Sequence, residues 1–309
     1  MSNTDIILRL IQAVPGLTDN EIGRRTGIRP HQQVNQICNR LATQGKIKRE
    51  PGAAGYFVNS PIGVAKPGAV TPRAATLPRP SQPRAASHGS IAEIAALHPA
   101  STLVVIPCSG AKRSGHDLGN SRGLCELLPT SLAAELRQAR AAMREPARID
   151  ERTLLPAVER YCGTLYEAAG SQVLHSLGTH QPTLILSGGY GVLLPNEPIG
   201  CYDAQFNPAQ WPNNVVGRSI AAYARHLGVE SVVAFLAAST GYAKAIRRVC
   251  WSAEGIDCAF LVFAETGPGG AMRTVPATLG EALAAYVRGK LSPGWRSSQG
   301  LTLDAARLG

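Results

Sequence analysis

Four short runs of β-branched and aliphatic residues, each ending in a loop of small or reactive residues, constrain this chain most. They are Thr102–Ile106, Thr183–Leu186, Ser231–Leu236 and Ala259–Phe263. Runs of this length, bounded by Pro and Gly, read as buried strands. Between them lie helix-length segments near 126–144, 153–178, 213–228, 241–254 and 277–290. Alternating strands and helices imply an α/β fold, a mostly parallel sheet sandwiched by helices. Ligands of such sheets sit just beyond the carboxyl ends of the strands. The loops there read Pro107-Cys-Ser-Gly-Ala-Lys112, Ser187-Gly-Gly-Tyr-Gly-Val-Leu-Leu-Pro195 with Tyr202-Asp203 beyond it, Ala237-Ala-Ser-Thr-Gly-Tyr-Ala-Lys244, and Glu265-Thr-Gly-Pro-Gly-Gly-Ala-Met-Arg273.

The chain divides into residues 1–60, a linker over 61–95, and the α/β domain over 96–309. Charge divides it too. Residues 1–90 hold 12 Lys/Arg against 4 Asp/Glu, a net +8, whereas 91–309 hold 19 against 17, a net +2. The positive field belongs to the N-terminal third and points to a polyanion there. The linker is Pro-rich, without periodicity, and its cations are Lys66, Arg73, Arg79 and Arg84, so it reads as a disordered basic tether.

Apolar residues Ile6, Ile7, Leu10, Ile11 and Val14 recur at helical spacing. Thr18 and Glu21 form a capping box for a second helix, Asp19 to Thr26. Arg29-Pro30 opens a third, with Val34, Ile37 and Leu41 as its buried stripe, and Lys46 to Val58 reads as a hairpin. Three helices and a basic hairpin resemble the winged helix-turn-helix family. That resemblance implies a third helix in the major groove of double-stranded DNA. The residues it would present are His31, Gln32, Gln33, Asn35, Gln36, Asn39 and Arg40. Amides pair with adenine edges, and Lys46, Lys48 and Arg49 suit phosphates. Protein contacts are the alternative use of such a unit.

Several chemistries lack their signatures. There is no P-loop, no nucleophile elbow and no C-x-x-C, and the histidines show no metal-ligand spacing, so neither metal nor cofactor is expected. No run approaches the ~20 apolar residues of a membrane helix, and no signal peptide pattern leads the chain, which suggests a cytoplasmic protein without a membrane partner.

Pro107-Cys-Ser-Gly-Ala-Lys112, Tyr161-Cys-Gly-Thr-Leu-Tyr166 and Leu186-Ser-Gly-Gly-Tyr-Gly-Val-Leu-Leu-Pro195 with Tyr202-Asp203 together resemble the YaaA-like (peroxide-stress-related) family. A similar Pro-Cys-Ser loop occurs in archaeosine synthase. The order of elements over 101–290 resembles the uracil-DNA glycosylase superfamily. There a first strand feeds a catalytic loop, a third a Gly/Ser turn, and a fourth a loop that probes the minor groove. This chain departs from that pattern in two places. Cys108-Ser109 stand where the uracil enzymes carry a water-positioning Asp, and Thr266-Gly-Pro-Gly-Gly270 stands where they carry a His.

The resemblance implies a hydrolytic DNA glycosylase that excises a modified base, with glucosylated hydroxymethylcytosine of phage DNA as the leading candidate and antiviral defence as the role. A glycosidic bond breaks through an oxocarbenium-like state, so a carboxylate near the sugar is needed. Asp203 is the first candidate and Glu265 the second; an N-cap or turn role is the alternative for Asp203. Cys108 and Ser109 complete the catalytic candidates. Lys112, Ser187, Gly188, Tyr190, Tyr202, Ser239, Tyr242, Lys244 and Arg273 are substrate-binding candidates, with Met272 as a wedge. Trp211, Trp251 and Trp295 carry no clear signal. Two other readings stay open. One is attack by Cys108 on a deazaguanine-type base, and the other is a non-enzymatic DNA-binding regulator with a ligand-sensing α/β domain.

Overall fold

A computed structural model of the chain describes residues 2–28, 31–51, 57–62, 87–115, 122–265 and 271–309. The chain forms two compact units, divided between Leu77 and Pro78.

The first unit runs α1 (Asn3–Ala13), β1 (Leu17–Thr18), α2 (Asp19–Thr26), α3 (His31–Thr43), β2 (Ile47–Pro51) and β3 (Phe57–Pro61). The Thr18–Glu21 box forms, with both backbone N–H groups satisfied by the partner side chain, and Gly27 ends α2 at a positive φ of 68°. Ile7, Ile11, Ile22, Val34 and Leu41 interlock at the centre. The strands pair antiparallel in the order β1-β3-β2. Arg29, Pro30 and the hairpin tip at 52–56 lie outside the described residues.

The second unit runs β4 (Ser87–Gly89), α4 (Ile91–Ala96), β5 (Thr102–Pro107), α5 (Thr130–Met143), β6 (Asp150–Pro156), α6 (Ala157–Arg160), α7 (Thr164–Ala169), α8 (Ser171–Ser176), β7 (Thr183–Ser187), β8 (Gly191–Leu193), β9 (Pro198–Cys201), α9 (Val215–Leu227), β10 (Ser231–Phe235), α10 (Gly241–Arg247), β11 (Cys258–Ala264), α11 (Ala271–Val287) and β12 (Leu303–Leu308). Its main sheet has the order β4-β12-β11-β10-β5-β7-β8. The four expected strands, β7, β5, β10 and β11, are its parallel centre, and β8, β12 and β4 join antiparallel. The unit is thus a mixed α/β structure with a mostly parallel sheet flanked by helices.

Both faces are buried, which is why the central strands are continuous apolar runs. Leu103, Val105, Val232 and Ala234 face α5, α9 and α10. Their neighbours Val104, Ile106, Val233 and Phe235 face α4, α6, α7 and α11.

Two expectations on element boundaries are corrected. The segment 153–178 is not one helix: β6, α6, α7 and α8 occupy it. Pro156 ends β6, Gly163 precedes α7, and Gly170, at φ 80°, separates α7 from α8. Nor does the linker extend to 95. β4 pairs with β12, and Ser90 and Glu93 cap α4 reciprocally while Ile94 is buried. Residues 63–86 lie outside the described residues. Among those described, no helix is long and apolar enough to cross a membrane.

Candidate functional site

β5 comes first among the parallel strands; β7 pairs on one side of it and β10 on the other. The strand order therefore reverses at β5, and the crevice between the carboxyl ends of β5 and β10 is a topological switch point. A cleft of about 360 Å³ opens there, lined by Pro107 to Ala111 from the β5 loop and by Ala237, Thr240 and Tyr242 after β10. Gly163, Thr164, Leu165, Tyr166, Val275, Pro276 and Leu279 complete its walls.

The β5 loop is held from beneath by the second motif. The Cys108 N–H still donates to Leu186 O at 2.7 Å, so the loop leaves the sheet only after Cys108. Tyr166 Oη donates to Pro107 O at 2.9 Å, Cys162 N to Ala111 O at 3.2 Å, and Arg113 N to Arg160 O at 2.8 Å. A Cβ on Gly163 would overlap Ser109 Oγ, so glycine is what lets the two turns touch. Arg160, fully buried, donates to the carbonyls of Arg113, Thr153 and Ile199 and ties the end of this loop to β6 and β9.

Cys108 is half-buried in a nest of phenols. Its Sγ lies 3.1 Å from Tyr242 Oη. Tyr202 neighbours the same thiol, its Oη lies 2.9 Å from Tyr161 Oη, and Ser187 Oγ donates to Tyr202 Oη at 3.0 Å. Burial, reinforced by neighbouring thiol and phenol groups, holds Tyr161, Tyr166, Tyr202 and Tyr242 well above the ordinary phenol range. They stay protonated, and Tyr242 can donate toward the sulfur. Lys112 Nζ sits 4.0 Å above the Tyr202 ring. Burial pulls this ammonium below the ordinary lysine value, while Cys108 and Asp203 partly offset that.

Of the residues expected at the site, Cys108, Ser109 and Tyr242 line the cleft, and Lys112 and Tyr202 adjoin Cys108. Asp203 is exposed, within electrostatic reach of Lys112 but not on the cleft wall, with its N–H bonded to Ala147 O. Ser239, Lys244 and Arg273 are exposed, and Thr240, not Ser239, caps α10. Three assignments are corrected. Ser187 is fully buried and its hydroxyl is consumed by Tyr161, Tyr202 and the Tyr190 N–H. Gly188 is buried with its Cα against the Ala204 carbonyl. Tyr190 is a core residue that donates to Glu151 and accepts from Gly200 N–H, so its ring offers no platform to a base. Glu265 receives a bond from Thr302 Oγ1, Trp211 and Trp251 are core, and Trp295 packs against the core. The side chain of Met272 and residues 266–270 lie outside what is described. Sequence reasoning missed that Tyr161 and Tyr166 are partners of the β5 loop, although both stood in a quoted motif.

In the first unit, His31, Gln32, Gln33, Asn35 and Gln36 fall on α3, with their side chains outside what is described. Asn39, Arg40 and Lys46 are exposed, Arg40 bonding Thr4 Oγ1, and Lys48 is exposed beside Glu50 at 2.7 Å. Arg49 is corrected: it is buried in a two-pronged pair with Asp19 at 2.6 and 3.1 Å, and Asn59 braces Asp19, so it serves the fold and is closed to phosphate.

All seven cysteines are free thiols. Among the described residues, no cluster of three His, Cys, Asp or Glu could hold a metal ion. No protein-family model matches the chain, and no curated protein matches it.

Proposed function

We propose that the chain is a two-domain DNA-acting enzyme. The N-terminal unit grips duplex DNA as a winged helix-turn-helix, and the α/β unit, of uracil-DNA glycosylase-like architecture, hydrolyses the N-glycosidic bond of a modified base. The observation that carries this is the cleft at the β5/β10 switch point, whose walls are mostly apolar and aromatic with few polar groups. Such a site suits a planar base withdrawn from the helix at a cost of a few kcal/mol of unstacking. Asp203 stabilises the oxocarbenium-like sugar and orients water, and Lys112, within its electrostatic reach, supplies positive charge toward the leaving base. Exposed Ser239, Lys244 and Arg273 suit the phosphates flanking the target. With glucosylated hydroxymethylcytosine in phage DNA as the substrate, the enzyme acts in cytoplasmic antiviral defence.

The test is to incubate the chain with phage DNA carrying glucosylated hydroxymethylcytosine and with unmodified DNA, treat both with alkali, and assay strand breaks and released base. Breaks confined to modified DNA and lost in Asp203→Asn are expected. Intact DNA in both arms removes this reading.

The 3.1 Å contact between Cys108 and Tyr242 favours a second reading, in which the thiol attacks an electrophilic, deazaguanine-type base. Under it Cys108→Ala abolishes turnover and Asp203→Asn is tolerated.

A further inference from the structure

The α/β unit contains three lysines, and two of them, Lys244 and Lys290, are exposed, whereas Lys112 is half-buried. Lys112 follows directly on Gly110 and Ala111, which line the β5/β10 cleft, and its backbone bridges to Tyr161. Its amine lies 4.0 Å above the Tyr202 ring and donates to Gly110 O at 3.4 Å, a long bond that is easily given up. The titratable groups that face it are Cys108, Asp203, Cys201 and Cys162.

In the glycosylase reading above, Lys112 meets the departing base as an ammonium. The base leaves with the electron pair of the glycosidic bond and takes a proton from that ammonium. The water that joins C1′ gives its proton to the exposed Asp203 carboxylate, which returns it to solvent. What remains is an abasic deoxyribose and a lysine that has become an uncharged amine. Burial favours that uncharged form. An abasic deoxyribose opens to an aldehyde, and an uncharged amine is the nucleophile that adds to one.

We propose that Lys112 carries a second reaction at the same site, as an imine-forming lyase that cuts the strand at the abasic sugar. It rests on the glycosylase reading for the supply of that sugar. Nζ attacks the C1′ aldehyde, the carbonyl oxygen leaves as water, and a protonated imine links protein to DNA. The imine draws electrons, so the C2′ proton passes to the Asp203 carboxylate, a C2′–C3′ double bond forms and the 3′-phosphate leaves with the C3′–O pair. Water then hydrolyses the imine, releasing an unsaturated aldehyde and restoring Lys112. The sequence consumes no oxidant or reductant.

The test offers the full chain a duplex oligonucleotide with a preformed abasic site, so that it does not depend on base release. Sodium borohydride reduces an imine to a stable amine and fixes protein to DNA. A trapped complex is expected from the wild type, with the adduct mapped to Lys112 by mass spectrometry, and it should be lost in Lys112→Met and Lys112→Arg. Arginine keeps the charge but forms no imine, so loss in a folded Arg variant reports the amine and not the fold. A companion arm measures base release from DNA carrying glucosylated hydroxymethylcytosine. No trapped complex from the wild type, an adduct on another residue, or equal trapping by the variants overturns the lyase even if bases are released. Trapping on abasic DNA without base release from modified DNA upholds the lyase and overturns the glycosylase reading instead.

Discussion

The loops after β5 and β7 follow neighbouring parallel strands and are built from the same small residues, yet they do opposite things. The β5 loop keeps Cys108, Ser109 and Lys112 half-exposed around a cleft. The β7 loop closes on itself. Ser187 and Gly188 are buried, β8 folds back onto β7, and Arg140 clamps the turn by donating to the carbonyls of Tyr190 and Val192 while pairing with Glu197 at 2.6 Å. A small-residue loop at a strand's carboxyl end marks a place where chains come close. Whether a ligand or another segment of protein fills that space depends on what packs above it.

Paired substitutions sharpen the contrast. The largest effect is expected at the glycines. A Cβ on Gly188 would run into the Ala204 carbonyl, whereas one on Gly110 meets nothing within 4 Å. Gly188→Ala should cost about 3 kcal/mol or more in denaturant titrations, and Gly110→Ala should stay within about 0.5 kcal/mol. Equal costs would break the comparison. The serines come next. Ser187→Ala takes one partner from each of two buried phenols, which still bond each other, and strands the Tyr190 N–H, at about 2 kcal/mol, while Ser109→Ala, which loses one local bond to the Ala111 N–H, should change stability by less than about 0.5 kcal/mol.

The smallest effect concerns Lys112. Burial lowers its pKa from the ordinary 10.5, so folding penalises its charged form. That penalty is present at neutral pH and disappears as pH rises from the lowered value through 10.5. Lys112→Met keeps the stem and removes the charge. It should raise the denaturation midpoint slightly at pH 7, and the gain should shrink to nothing near pH 11. A gain that grows with pH would show the sign to be wrong.

The parallel core was legible because strands buried on both faces need apolar residues at every position, and Thr102–Ile106 and Ala259–Phe263 have little else. β12 was not, because Leu-Asp-Ala-Ala-Arg-Leu308 is a flanking strand whose small and charged residues give no run and no alternation. The break of 153–178 into four elements was written in Pro156, Gly163 and Gly170, but helical spacing of the apolar residues between them outweighed those signals. Cys108, Ser109 and Lys112 were legible as a strand-end loop. Tyr202 and Tyr242 were legible as residues of strand-end loops, but that they and Tyr161 gather at Cys108 was not, since only tertiary packing brings them there. Arg49 misled for a related reason: a basic hairpin residue looks solvent-facing until Asp19, thirty positions earlier, is seen to grip it.

The α/β unit begins with β4, a three-residue strand at the sheet's outer edge. Force transmitted along the chain from the N-terminal unit enters there. It first loads the three register pairs Gly89 with Ala305, His88 with Ala306 and Ser87 with Arg307. β12 and β11 stand between this edge and β10, where the cleft begins. A tug on the chain before β4 would therefore peel a short edge before it reached β5 and β10, the strands that lead into Cys108 and into α10 with Tyr242. A short outer edge thus stands as a mechanical fuse between the chain before residue 87 and the strands at the cleft.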